Sequence, residues 1–249
     1  MKNLSLCLAF VFCWVFMQSC KKGNEVLLTP ETGKPEAVVN KDSISFTINR
    51  TKYVFTDRRS FGSGNDAVNI KRSAVKIPGG KLAYQTDNAY WYGASDSTLY
   101  SAQFELNSKS LDQSFRLIFT KKFKDNELVW KAPLFYLQNH DALFKIGESG
   151  FATDLYKENT TEGVAIKLFD KELNGELISM IPGFSIVVRS DLKNDLQDNS
   201  HFVITKVEKD KQGQYLIEAR FNLNLYDKDG KLFKLENGFV KLTAPTLYN

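Results

Sequence analysis

The chain has 249 residues, with 33 Lys and Arg against 29 Asp and Glu, a formal charge of +4. Hydrophobic residues make up 43% and charged residues 25%, which excludes a disordered or collagen-like chain and leaves enough length for a proper core. The charge is too balanced for a nucleic-acid binder, and three Cys with two His leave little material for a metal site or a thiol enzyme.

Residues 1–20 read as an export signal. Lys2 gives a short cationic start, and Leu4 to Met17 is almost wholly apolar, with Cys7, Cys13 and Trp14 inside it. A bilayer-spanning helix needs roughly 20 apolar residues, so this shorter run suits a signal-peptide core instead. It ends in Met17-Gln18-Ser19-Cys20. A small residue before Cys at the end of an export signal resembles the bacterial lipoprotein signal. That resemblance implies a signal peptide over 1–19, cleavage before Cys20 and a diacylglycerol on the Cys20 sulfur. Each buried CH₂ contributes about 0.8 kcal/mol, so a diacylglycerol with an N-acyl chain (palmitate or similar) anchors stably. Met17 and Gln18 stand where the commonest form has Leu and then Ala or Ser. The other reading is a plain secretory signal with a coincidental Cys. Cys7 and Cys13 leave with the signal and Cys20 is acylated, so no disulfide, Cys-rich zinc site or Cys nucleophile is expected in the folded part.

Residues 20–42 read as a flexible tether. The stretch holds two of the six Pro, no aromatic residue and too little apolar surface to offset the entropy of ordering it. At random-coil scaling, about 20 residues reach some 25 Å. Val26-Leu27-Leu28 docking on the domain is the alternative.

From Ser43 the pattern has period two. Ile44, Phe46 and Ile48 share one face; Arg50-Thr51-Lys52 is expected to turn the chain, and Tyr53-Val54-Phe55 to return it. Strands are expected over Val68 to Ile77, Leu82 to Gln85, Tyr90 to Gly93 and Leu99 to Leu106, and again around Phe115, Leu117 and Phe119. Leu134 to Ile146 fits one short helix, with Leu134, Leu137 and Phe144 on one face, or a mixed extended segment. Beyond it, alternation marks strands at Val164–Leu168, Phe184–Val188 and Phe202–Val207. In the run from Tyr215 to Tyr226, Asn222 and Asn224 lie on the wet face. Asp210 to Gly213 and Asp227 to Gly230 read as turns. Asn237-Gly238 reads as another, separating Leu232–Leu235 from a last strand over Phe239–Thr243. About a dozen short strands point to an all-β fold, an antiparallel β-sandwich or barrel-like domain with at most one or two short helices. It occupies 43–249 as one domain, with a split near 131–150 as the alternative.

The C-terminal hairpins carry a family resemblance. Phe202-Val203-Ile204-Thr205-Lys206-Val207, Ala219-Arg220-Phe221-Asn222-Leu223, Asp227-Lys228-Asp229-Gly230 and Leu235-Glu236-Asn237-Gly238-Phe239 resemble the C-terminal hairpins of uncharacterised β-rich lipoproteins of Bacteroidota. The opening Phe46 to Tyr53 is similar to their first hairpin, except that they usually have Asn-Gly-Lys where this chain has Asn49-Arg50-Thr51-Lys52. The resemblance implies a β-rich domain on a bacterial envelope lipoprotein at the outer membrane, and no particular activity. Only Glu25 is acidic near Cys20, beside Lys21 and Lys22, so the resemblance does not favour the cell surface over the periplasmic face.

Few constellations carry chemistry. His140 and His201 are the two His, with no GxSxG or HExxH nearby, and read as loop or surface residues. Glu105 and Glu218 alternate with apolar neighbours and read as solvated, so a carboxylate pair for hydrolysis is a third-ranked idea. Asp227-Lys228-Asp229-Gly230 has Lys231, Leu232 and Gly238 where a calcium loop needs its later ligands and its glycine, so it reads as a hairpin turn. Lys121-Lys122-Phe123-Lys124 and Lys206 to Lys211 are offset by nearby acids and read as solvated hairpin ends. Among the aromatics Tyr84, Tyr90, Trp91 and Tyr92, the last three are the candidate ligand-binding residues, as a platform for sugar rings; filling the core is the other reading. Trp130 has the same ambiguity. The expectation is a non-catalytic binding or structural module. Its partner is the membrane through Cys20, with a glycan or envelope protein beside it. No metal, cofactor or nucleic acid is expected.

Overall fold

The computed structural model describes residues 42–58, 67–74, 90–92, 94–108, 110, 112–131, 134–137, 140–154, 162–173, 175–181 and 192–244. All lie within the unit Asn40–Asn249. The expected strands at Leu82 to Gln85 and Phe184 to Val188 lie outside the described residues.

The first hairpin pairs β1 (Ser43–Ile48) with β2 (Thr51–Phe55). Its turn is two residues long, Asn49 and Arg50, both left-handed with φ of 49° and 68°. The turn expected over Arg50-Thr51-Lys52 is therefore corrected. A two-residue loop matches the right-handed strand twist when both its residues take positive φ. β2 runs on through Thr56 into β3 (Asp57–Arg58), and β4 (Ala67–Ala74), β5 (Tyr90–Tyr92), β6 (Ser97–Asn107) and β7 (Gln113–Lys124) follow.

A 3₁₀ turn over Asp125–Glu127 leads to β8 (Leu128–Lys131) and β9 (Leu134–Leu137), then a second 3₁₀ turn over His140–Ala142 and β10 (Gly147–Glu148). The helix fitted to Leu134 to Ile146 is thus overturned. β9 instead pairs antiparallel with β8, Trp130 opposite Phe135 and Val129 opposite Tyr136. Aromatic and β-branched residues favour a strand once a partner strand lies alongside. The chain then forms β11 (Gly163–Asp170), β12 (Gly175–Ile178), β13 (His201–Lys209), β14 (Tyr215–Tyr226) and β15 (Leu232–Ala244).

The strands pair in the order β2-β1-β15-β14-β12-β11-β7-β6-β4-β5, with β13 on β14, β10 on β13 and β3 on β6. Among the described residues, every pair of these strands is antiparallel except β4 with β5. Because β3 continues β2, the path that leaves β6 comes round to β1. The fold is all-β, an antiparallel sheet curled into a barrel-like wall. No helix among the described residues is long and apolar enough to cross a membrane.

The inward positions follow from period two. Phe46 and Phe55 from the first hairpin meet Phe115 of β7, which reaches Phe221 of β14; Phe221 stacks on Phe202, and Phe202 meets Phe119 edge-on. Centroid separations of 5.2–6.3 Å make this a continuous phenyl core. Leu137, Leu143 and Phe144 join the same core. A second, small cluster of Ile118, Ala152, Ala165 and Met180 lies on the other face of β7 and β11. Gly163 permits the crossing there: its Val164 N–H reaches the Gly150 carbonyl at 2.9 Å, and a Cβ on Gly163 would lie 2.3 Å from that oxygen.

The turn expected at Asn237-Gly238 is a bulge inside one continuous strand. The β14–β15 register slips between Phe221 and Leu223, and Asn237 takes a left-handed φ of 54°. Asn222 Oδ1 accepts the Asn237 N–H at 2.7 Å, so the pair that would end a strand elsewhere is held within one here. Gly238 lies opposite Phe221, and a Cβ on it would sit 2.3 Å from that ring.

Candidate functional site

The residues singled out from the sequence fall in different places. Cys20 and Tyr84 lie outside the described residues. Tyr90, Trp91 and Tyr92 form β5, the last strand of the paired path, opposite Arg72, Ser73 and Ala74 of β4; their side chains, like that of Trp130, lie outside the described part. His140 opens the second 3₁₀ turn, and exposed His201 places Nδ1 3.2 Å from Glu148. Glu105 is a correction: it is 6% exposed rather than solvated. Its carboxylate takes two hydrogen bonds from Arg116, at 2.6 and 3.0 Å, across the β6–β7 pair. Such a pair is structural, since removing one partner strands the other charge. Glu218 is half-buried, 4.0 Å from Lys241. Asp227 is a turn residue: its Oδ1 accepts the N–H groups of Asp229 and Lys231, both at 2.9 Å. Asp210 caps the β13–β14 turn in the same way through Gln212 and Gln214. In the basic runs, Lys206 pairs with Glu208, and Lys121 donates to the Ala142 carbonyl. Among the described residues no three His, Cys, Asp or Glu are grouped to hold a metal ion.

Two polar clusters that the sequence reading missed sit at opposite ends of the wall. Asp170 ends β11 on the side where β14 reaches Tyr226, whereas Tyr215 begins β14. Asp170 is 1% exposed. It accepts hydrogen bonds from Gln113 Nε2 at 3.0 Å and from the Glu172 N–H at 2.8 Å, and the Tyr53 hydroxyl lies within reach of its charge. Burial, with the negative charges of Asp170 and Glu172 added, pushes the Tyr53 hydroxyl up to about 12. At the other end the Tyr215 hydroxyl donates to Asp141 Oδ1, which Lys209 Nζ also meets at 2.8 Å. Burial is also the main cause that raises the Tyr215 pKa. Both hydroxyls lie beside a carboxylate, and neither is poised as a base at neutral pH.

A third feature is concave. On the outward face of β14 and β15 lies an open groove of about 590 Å³. Its floor is Asn222 and Asn224; one wall is Lys234 to Asn237 of β15, and the other is Asp198 to Ser200. Both walls are locked. The bulge at Asn237 is held by Asn222, as above. The segment before β13 is held by Gln197, itself 9% exposed, whose amide donates to the Ser179 and Asn224 carbonyls at 2.8 Å and accepts the Asn224 N–H at 3.1 Å. Gln197 thereby stands in for a strand between β13 and β12, which meets β14 only through Ile178 opposite Tyr226. Asn224 Nδ2 and the Tyr226 hydroxyl both donate to the Leu196 carbonyl. Burial and the nearby charges of Asp195 and Asp198 raise the Tyr226 pKa, so the hydroxyl keeps its proton. The sequence signal for this groove was the alternation of Asn222 and Asn224 on the wet face of β14. Its walls come from distant turns that period two does not reveal. No family model, curated protein or solved structure matches this chain.

Proposed function

We propose that the chain is a bacterial envelope lipoprotein, held at the outer membrane by acyl chains on Cys20, whose β domain is a non-catalytic binding module. The likeness to β-rich Bacteroidota lipoproteins, drawn from the C-terminal hairpins, belongs to the same reading. One observation carries the binding role. The inner face of the curled sheet is filled by packed phenyl rings, while the groove on the outer face is lined by polar side chains on a locked frame. Recognition is therefore assigned to the surface of the wall. The anchor rests on the apolar run closed by Ser19-Cys20. Expressed in full in a bacterial host, the protein should enter the detergent phase on Triton X-114 partition and yield an N-terminal peptide beginning at acylated Cys20 by mass spectrometry. Cys20→Ala should move it to the aqueous phase. An intact leader, or an unmodified Cys20 thiol, would refute the anchor.

A further inference from the structure

We propose that the groove over β14 and β15 binds a neutral, polyhydroxylated ligand, a short oligosaccharide, through the amides of Asn222 and Asn224 and the flanking Asp198, Lys234 and Glu236. The inference rests on the binding-module reading and deepens it.

Size comes first. A volume of about 590 Å³ lies inside the range of small-ligand sites, and the groove is open to solvent. Chemistry comes second. Asn222 Oδ1 already accepts the Asn237 N–H and Asn224 Nδ2 already donates to the Leu196 carbonyl, which leaves Asn222 Nδ2 as a donor and Asn224 Oδ1 as an acceptor for hydroxyls; a carboxylate accepts from hydroxyls with charge assistance, and an ammonium donates to ring or hydroxyl oxygens. Asp198, Lys234 and Glu236 have no side-chain hydrogen bond or ion pair among the described residues, so these groups are open to a ligand. Their charges are of mixed sign. A phosphate or polyanion would meet two carboxylates, and a polycation would meet Lys234; a neutral ligand meets no such conflict. Leu232, 44% exposed at the groove, supplies an apolar surface for the C–H face of a sugar ring.

Construction is the third, independent line. Four non-glycine residues take positive φ among the described residues: Asn49 and Arg50 in the first hairpin turn, and Asn199 and Asn237 in the two walls of the groove. The hairpin explains the first two. The second two aim the walls, and left-handed residues and bulges both concentrate where a side chain must be placed for binding. Gln197 locks one wall from outside the groove and Asn222 Oδ1 locks the other from its floor, so the polar groups are set before a ligand arrives.

The test uses the full chain in detergent micelles on an array of neutral and anionic glycans, with a reporter on the detergent-solubilised protein. Binding of neutral glycans is expected. Asp198→Ala and Glu236→Ala should each weaken it at least tenfold without moving the melting temperature, while Trp91→Ala should leave it unchanged. Titration with free oligosaccharides and pull-down on insoluble polysaccharide then tell a soluble source from a fixed one. An array with no bound glycan, a preference for anionic glycans, or binding that survives both groove substitutions and is lost in Trp91→Ala would overturn the proposal. Acylation of Cys20 is read separately by mass spectrometry, so an empty array on an acylated protein removes the glycan and leaves the anchor standing.

Discussion

The two ends of the curled sheet hold the same pair of side chains in different surroundings. At the end of the β1–β2, β6–β7, β11–β12 and β14–β15 hairpins, Tyr53 lies beside an Asp170 that is 1% exposed and accepts from Gln113 and the Glu172 N–H. At the opposite end, Tyr215 donates to an Asp141 whose side chain is 56% exposed and shared with Lys209. The difference teaches that the pair itself does not set its worth. A buried carboxylate that serves several groups at once is a fixed part of the seal, because losing it takes their partner from all of them together, the buried Tyr53 among them. An exposed one exchanges its partners for water at little cost.

The largest expected effect tests that contrast directly. Asp170→Ala should lower unfolding stability by about 3 kcal/mol, because it takes the acceptor from the Gln113 amide and the Glu172 N–H and the carboxylate from beside the buried Tyr53 hydroxyl. Asp141→Ala, measured by the same urea titration, should cost far less; equal losses would end the distinction between a sealed and an open end. Next in size is Gln197→Ala, which removes the side chain that completes the β14 edge between β13 and β12, with an expected loss of about 2 kcal/mol.

The third effect is a pH profile. Tyr53 has an ordinary value near 10 when unfolded and about 12 when folded, so its contribution is complete below pH 10 and is lost as pH rises toward 12. Tyr53→Phe should lower stability by about 1 kcal/mol at neutral pH and flatten part of the decline between pH 10 and 12. Tyr215→Phe should flatten it less; a larger flattening from Tyr215 would reverse the ranking of the two ends. The smallest effect is a gain at the hairpin end. Arg50 sits at φ 68°, so Arg50→Gly should raise the thermal midpoint, by about 0.5–1 kcal/mol of stability.

Much of the wall was legible from alternation. The run Tyr215, Ile217, Ala219, Phe221, Leu223 and Leu225 is buried throughout, and Asn222 and Asn224 face outward as read. The two Asp-Lys turns at Asp210 and Asp227 were legible because an Asp side chain caps N–H groups only two and four residues ahead, a local interaction. Asn237-Gly238 was misread because the same dipeptide serves a turn or a bulge; a side chain on the neighbouring strand, Asn222, decides which. Glu105 was misread because period two tells which face a residue is on, and its burial depends on what packs over that face. The groove was half legible, its floor as a polar strand face, its walls not at all.

The sequence by itself determined most of the strands, the inward set of phenylalanines and the two Asp-Lys turns, because period, turn chemistry and side-chain capping act within a few residues. Only the tertiary structure decided which tyrosine is sealed against Asp170, which bulge aims the wall of the groove, and that Gln197 stands where a strand is missing. Those contacts join residues far apart in the chain, and their energies depend on whether water is excluded where they meet.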